Sequence, residues 1–344
     1  MRPVLLQEHP IGPDAPVYVI AEIGGNFVDF EQGARLIDLA HESGCDAVKL
    51  QTFRADTLTT KKAMFDMENT GKVSQWELFR KYEIDEELHR QLIDHARKRG
   101  IFCFSTPSHA SDVDLLERLA VGAYKIGSDD AVNLPLIRYV AQTGKPVLLS
   151  TGMCTMDEVR RSVKLILDEG NENIVVMHCT SSYPTRPQDA NLSAIQTMSR
   201  ELNVPIGYSD HCIGIEVSYA AAVLGASALE FHFTHDKSAP GPDHMLSKDP
   251  RETAELVRRI RMLPELLGDG VKRPMLCEMM NIRNNRKSIV TTCRIRQGEK
   301  ITDKNVAIKR PGSGIPCEHW DATLGKTAAR DLDPDHALTW EDVQ

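Results

Sequence analysis

Two histidines occupy matching places in the second half of this 344-residue chain. His211 closes the run PIGYSDH and His232 lies within ALEFHFT, each an apolar stretch of strand length. Between them, VSYAAAVLGA is small and apolar, suited to a crossover helix packed on a parallel sheet. Neighbouring parallel strands hold such imidazoles side by side, where a divalent metal can be clamped. One histidine of this kind is commonly an ordinary buried residue satisfied by its neighbours. Two at matching strand ends, flanked by Asp210 and Glu230, point to a joint role.

Charged and hydroxyl residues recur at comparable positions. Lys49 (AVKLQ) and Lys125 (AYKIG) interrupt apolar strands, and lysine is almost never buried without a partner. With a net charge of −8, two such lysines imply an anion between them. Glu22, in VIAEIG, is a buried-strand carboxylate with an expected shifted pKa and an acid–base role. Gln51, Ser105, Thr106, Ser128, Ser150, Ser181, Ser209 and Glu230 stand at or just beyond other strand ends. Hydroxyls and ammonium groups are donors suited to phosphate and carboxylate, although a strand-end serine also serves as a helix N-cap. His178, mid-strand in VVMHCTS, is expected to be structural.

These residues need elements to hold them. Strands are expected over 17–24, 46–53, 101–107, 123–129, 146–152, 174–181, 205–211 and 228–234, alternating with amphipathic helices that end at glycine. Thr155, followed by Asp157 and Glu158, marks one helix start. Eight such units indicate a (β/α)8 TIM barrel, whose strand ends share one mouth. A doubly wound open sheet is the alternative, but EIGGNF lacks its glycine fingerprint. The long polar connection 54–84 is expected to be a functional loop. The barrel is assigned to residues 1–267, a linker to 268–285, and a small β-rich domain to 286–344 that needs something larger to dock on.

Composition removes several classes. The acidic balance argues against a nucleic-acid surface. No apolar run is long enough for a membrane span, and the first residues do not read as a secretory signal. Eight scattered cysteines without a C-x-x-C pair suit free thiols in a reducing cytoplasm.

The runs AEIGGN, VKLQTF, STP, YKIGSDD, LLSTGM, HCTSSYP, GYSDH and EFHFT, in this order, resemble the sialic acid (N-acetylneuraminate) synthases, including legionaminic and pseudaminic acid synthases. The tail, KRPGSGI then LGK, resembles the antifreeze-like SAF domain fused to them. The resemblance implies condensation of phosphoenolpyruvate with an N-acetylated aldose to a nine-carbon 2-keto acid and phosphate. It implies Mn2+ or Mg2+ on His211 and His232, and a phosphoenolpyruvate grip by Lys49, Lys125, Thr106, Ser128, Ser150, Ser181 and Ser209. Sugar-side contacts fall to Gln51, Tyr183 and Asp243. Arg310 matches an arginine that crosses a domain-swapped homodimer into the partner's barrel mouth. Two departures are Phe231, where a basic residue is frequent, and MLSK after GPDH. A metal-dependent barrel hydrolase and a non-catalytic carbohydrate-binding protein are the competing readings.

Overall fold

Short apolar runs become strands here because each can bury both faces, one against the barrel interior and one against a helix. The computed structural model describes residues 2–67 and 71–344. Its strands in chain order are β1 (Val4–Leu6), β2 (His9–Ile11), β3 (Tyr18–Glu22), β4 (Ala47–Thr52), β5 (Met64–Met67), β6 (Gly71–Ser74) and β7 (Phe102–Pro107). There follow β8 (Tyr124–Ile126), β9 (Val147–Ser150), β10 (Ile174–Cys179), β11 (Ile206–Asp210), β12 (Ala228–His232), β13 (Ser288–Thr291) and β14 (Val306–Lys309). Strands β3, β4 and β7 to β12 form a closed parallel barrel, as the alternation implied. Pairing of β12 with β3 excludes the open sheet.

Side chains alternate across each strand. Ile20, Ala47, Phe104, Leu148, Met177 and Ala228 fill the barrel interior, joined from the antiparallel hairpin β1–β2 by Val4, Leu6 and Ile11. The opposite parity packs outward, Val48, Leu50, Leu149, Val176 and Leu229 meeting the helices. The interior is therefore plugged at one end, which leaves the C-terminal strand ends as its polar mouth. Thr155 caps the helix Met156–Asp168 in a capping box with Glu158, as its sequence signature implied.

The 54–84 connection is not a structureless polar loop. It holds helix Ala55–Leu58, the antiparallel strand pair β5–β6 and helix Gln75–Tyr82. Phe79 stacks edge-on against both Phe53 and Phe65, giving the segment an apolar face.

The chain divides into two units, 1–268 and 269–344. Part of the expected linker is helical, over Leu276–Glu278 and Met279–Asn285. The second unit builds its own core from Ile289, Ile295, Ile301, Val306, Ile315, Leu332 and Leu338 around the β13–β14 pair. Its buried carboxylate, Asp342, accepts from Thr339 N–H (2.8 Å), His336 Nε2 (2.8 Å) and Arg330 Nε (2.8 Å). Burial opposes the charge, but these donors outweigh it and hold the pKa below the usual carboxylate range. A depressed folded pKa contributes stability above the unfolded value and loses it as pH falls through the folded one. Asp342→Asn is expected to destabilise this unit by about 3 kcal/mol at neutral pH. Urea unfolding should show that difference shrinking as pH drops from about 5 to about 2.

Candidate active site

At the mouth lies a cavity of about 380 Å³, and strand parity decides what reaches it. Glu22, Lys49, Gln51, Thr106, Lys125, Ser128, Ser150, Ser181, Tyr183, Ser209, His211, Glu230, His232 and Asp243 all line it. Ser105 does not. It is the outward neighbour of Thr106, and its Oγ lies 2.6 Å from Thr52 Oγ1, which in turn contacts His89 Nε2 at 2.8 Å. The expected substrate role for Ser105 is replaced by one in strand–helix packing. His178 is structural as expected, its Nε2 donating to Ala190 O at 2.9 Å. Arg310 is exposed in the second unit.

The floor of the bowl is a charge quartet. Lys49 Nζ bonds Glu22 Oε2, donates to Thr106 Oγ1 at 2.7 Å and lies 3.8 Å from Glu230 Oε1. Lys125 Nζ donates to the same Glu230 oxygen at 2.6 Å. The two lysines are thus compensated from within the protein, which corrects the inference that a bound anion must separate them. Burial pushes the Glu22 carboxyl up despite Lys49, making it the easier of the two carboxyls to protonate. Burial also opposes charge on Glu230, but Lys125 and Lys49 outweigh it and lower its pKa. Burial lowers the Lys125 pKa, whereas on Lys49 the Glu22 and Glu230 charges overcome burial and raise it.

The imidazoles of His211 and His232 lie with ring centroids 5.4 Å apart, and Tyr183 packs on His211 at 4.2 Å. His211 Nδ1 donates to Thr180 O at 2.9 Å, which leaves Nε2 with a free lone pair. Burial opposes a charged His211, but Cys179, its Sγ 3.8 Å away, outweighs it and raises the pKa. Burial, then His211 and Lys49, hold His232 well below its ordinary value, hence neutral. His232 Nδ1 is buried without a hydrogen bond, 3.5 Å from Asp243 Oδ2. Burial and the Glu22 charge push Asp243 up to about 7. A neutral imidazole with an orphaned nitrogen beside a second ligand-type imidazole fits a divalent cation. Among the described residues no group of three or more His, Cys, Asp or Glu forms a complete cage, so the fit is to a two-imidazole site with open positions.

Further orphans sit beside the lysines. Ser150 Oγ and Ser181 Oγ are buried with no hydrogen-bond partner, each at a cost of about 1 to 3 kcal/mol that a bound acceptor would recover. Ser128 Oγ accepts from Gly152 N–H at 3.0 Å. A Cβ on Gly152 would run into Ser181 Oγ and Ser128 Oγ, so glycine is what lets these hydroxyls converge. Gly152→Ala is expected to weaken binding of any anion held by these hydroxyls by about tenfold or more, as one or two hydrogen bonds are displaced. Wild-type affinity for phosphate or phosphoenolpyruvate would show that these hydroxyls hold nothing.

Residues 36–272 match the NeuB family and residues 286–344 match the SAF domain. The chain belongs to the NeuB family. It is 38% identical over 97% of its length to an N,N'-diacetyllegionaminic acid synthase of Legionella pneumophila, covering 97% of that protein. Against the synthase of the same name from Campylobacter jejuni the figures are 37%, 93% and 98%. A crystal structure of the N-acetylneuraminic acid synthetase of Leptospira borgpetersenii with citrate matches with TM-score 0.75 at 31% identity, over 82% of this chain and 95% of that one.

Several residues of this NeuB-family bowl escaped the sequence reading. Cys179 and Asp129 line it, as do Phe53, Leu58, Phe65, Leu78, Phe79 and Tyr82 on one apolar wall. Cys179 had a legible signal, since it has the same parity as Met177 on β10 and is paired in register with Ser209. Asn26 Nδ2 donates to Phe233 O (2.9 Å) and Ser247 Oγ (3.1 Å), tying the loop after β3 to the end of β12. The lining holds four carboxylates, Glu22, Asp129, Glu230 and Asp243, against two lysines. A bowl with that balance accepts an anion only if carboxyls are protonated or a cation joins it.

Proposed function

We propose that this chain condenses phosphoenolpyruvate with a 2-acetamido-mannose-type aldose, giving a nine-carbon 2-keto acid and phosphate. The observation that supports it most is the convergence of His211 and His232 with Lys49, Lys125 and the unpartnered hydroxyls of Ser150 and Ser181 in one bowl. Those cations and hydroxyls suit the carboxylate and phosphate of the enol. His211 and His232 would hold Mn2+ or Mg2+, which when bound polarises the aldehyde and offsets the excess carboxylates. A carbon–carbon bond forms between C3 of the enol and the aldehyde carbon. Water then adds at C2, and the C2–oxygen bond to phosphate breaks. Glu22, with its raised pKa, is the residue to take the proton from that water and pass it to the oxygen of the former aldehyde, and the C2 hydroxyl loses its proton to the departing phosphate as the ketone forms. Glu230 keeps both ammonium groups aimed into the bowl.

On the sugar side we assign Gln51, Tyr183 and Asp243. The apolar wall of Phe53, Phe65 and Phe79 favours an acceptor with methyl groups, a 6-deoxy diacetamido analogue, over N-acetylmannosamine. The two relatives bearing the diacetyllegionaminic name agree with that choice. A panel of 2-acetamido aldoses, assayed with phosphoenolpyruvate and Mn2+ by mass of the keto acid, decides between them. No product and no phosphate from any sugar would sink the reading.

We further propose a cytoplasmic homodimer in which Arg310 of the partner subunit supplies one more cation at the mouth. Arg310→Ala is then expected to lower kcat about 10²-fold with unchanged barrel stability. Mixing it with an inactive His211→Ala chain should restore activity in the hybrid. Wild-type turnover in the single variant would remove the role.

A further inference from the structure

Lys248 and Asp210 form an ion pair sealed from solvent, each side chain 1% exposed, with Nζ 3.0 Å from Oδ2. Neither is part of the cavity lining. Burying two charges costs several kcal/mol each, and an apolar pair of similar volume is commonly as stable or more so. Stability therefore gives no reason for the pair, and its connections supply one. The backbone of Lys248 is stitched to the end of β12, its N–H donating to His232 O at 2.8 Å while its carbonyl accepts from Thr234 N–H at 3.1 Å. Its side chain crosses the Phe231 ring at 5.1 Å to reach Asp210, the residue before His211. Asp210 Oδ1 accepts from Cys212 N–H at 2.9 Å, so the carboxylate spans the backbone of His211. Nζ also donates to Cys212 O at 3.4 Å, and Ser218 Oγ donates to Asp210 Oδ2 at 2.5 Å. Both chain neighbours of His211 are thus anchored to a lysine whose own backbone is anchored to His232.

We propose that the Lys248–Asp210 pair is a positioning device that fixes the spacing of the two imidazoles and so sets the bowl's affinity for a divalent cation. This rests on the reading of His211 and His232 as metal ligands. Lys248 touches no reacting atom and acts through the strand ends it joins.

The test uses the full chain and Mn2+ alone, with free ion read by electron paramagnetic resonance. Lys248→Met by itself strands a buried carboxylate and endangers folding. The double variant Lys248→Met with Asp210→Asn removes both charges and keeps an amide oxygen for Cys212 N–H. It is expected to melt within about 4 °C of the metal-free wild type. Its Mn2+ affinity should fall about 10- to 100-fold, the usual cost of losing a group that orients a ligand. A folded double variant with wild-type Mn2+ affinity overturns the positioning role while leaving the metal reading intact. A wild-type chain that binds no Mn2+ overturns both.

Discussion

Alanine at His232 is expected to lower kcat by at least about 10³-fold without unfolding the barrel. Polarising a carbonyl with a bound cation is worth several kcal/mol, and each 1.4 kcal/mol is a factor of about ten in rate. The stability side runs the other way from most core truncations. His232 is held neutral and its buried Nδ1 has no hydrogen bond, so removing it relieves an unmet polar group as it opens a cavity. These terms are of similar size, and the metal-free melting temperature should shift by only a few degrees, about 4 °C at most. His211→Ala should lose as much activity but more stability, because its Nδ1 satisfies Thr180 O and its ring packs on Tyr183. Steady-state kinetics with melting curves check both. A His232→Ala chain retaining a tenth of wild-type kcat would remove the imidazole from the reaction.

The second large effect is at Lys49. Lys49→Met leaves Glu22 buried without its nearest cation and takes the more distant of two cations from Glu230, and removing one partner of a buried pair costs about 3 to 5 kcal/mol. Activity is expected to vanish with it. Loss of fold and loss of function separate in the double variant Lys49→Met with Glu22→Gln, where neither charge is stranded. That chain should recover most of the lost stability, a strong non-additivity between neighbours, while staying inactive. Chemical denaturation gives the first quantity and phosphate release the second. Activity returning with stability would mean that the pair is scaffolding only.

The barrel was legible because eight apolar runs, each ending in a polar residue, alternate with helices capped by recognisable signals such as Thr155 and Glu158. The bowl was nearly as legible, since a strand's final inward residues must share the mouth. Ser105 stands at a strand end, but position alone does not decide which side chains enter; by parity Thr106 faces the bowl and its neighbour cannot. The lysines were misread for a different reason. Glu22 and Lys49 are register partners on β3 and β4, yet Lys125 meets Glu230 from 105 residues away, across a closure that no local pattern records. The 54–84 segment looked polar because charged residues and threonines separate its aromatics along the chain, and only the fold brings Phe65 and Phe79 together beside Phe53. Lys248 was invisible for the same reason, its partner lying 38 residues upstream.

The shared bowl is tested most directly by a crystal structure of the full chain grown with Mn2+ and phosphoenolpyruvate, the metal located by its anomalous signal. The expected result is one Mn2+ bound by the free nitrogens of His211 and His232, with the enol's phosphate and carboxylate on Lys49, Lys125, Ser150 and Ser181. Mn2+ bound elsewhere, or phosphoenolpyruvate bound away from those two lysines, would contradict it.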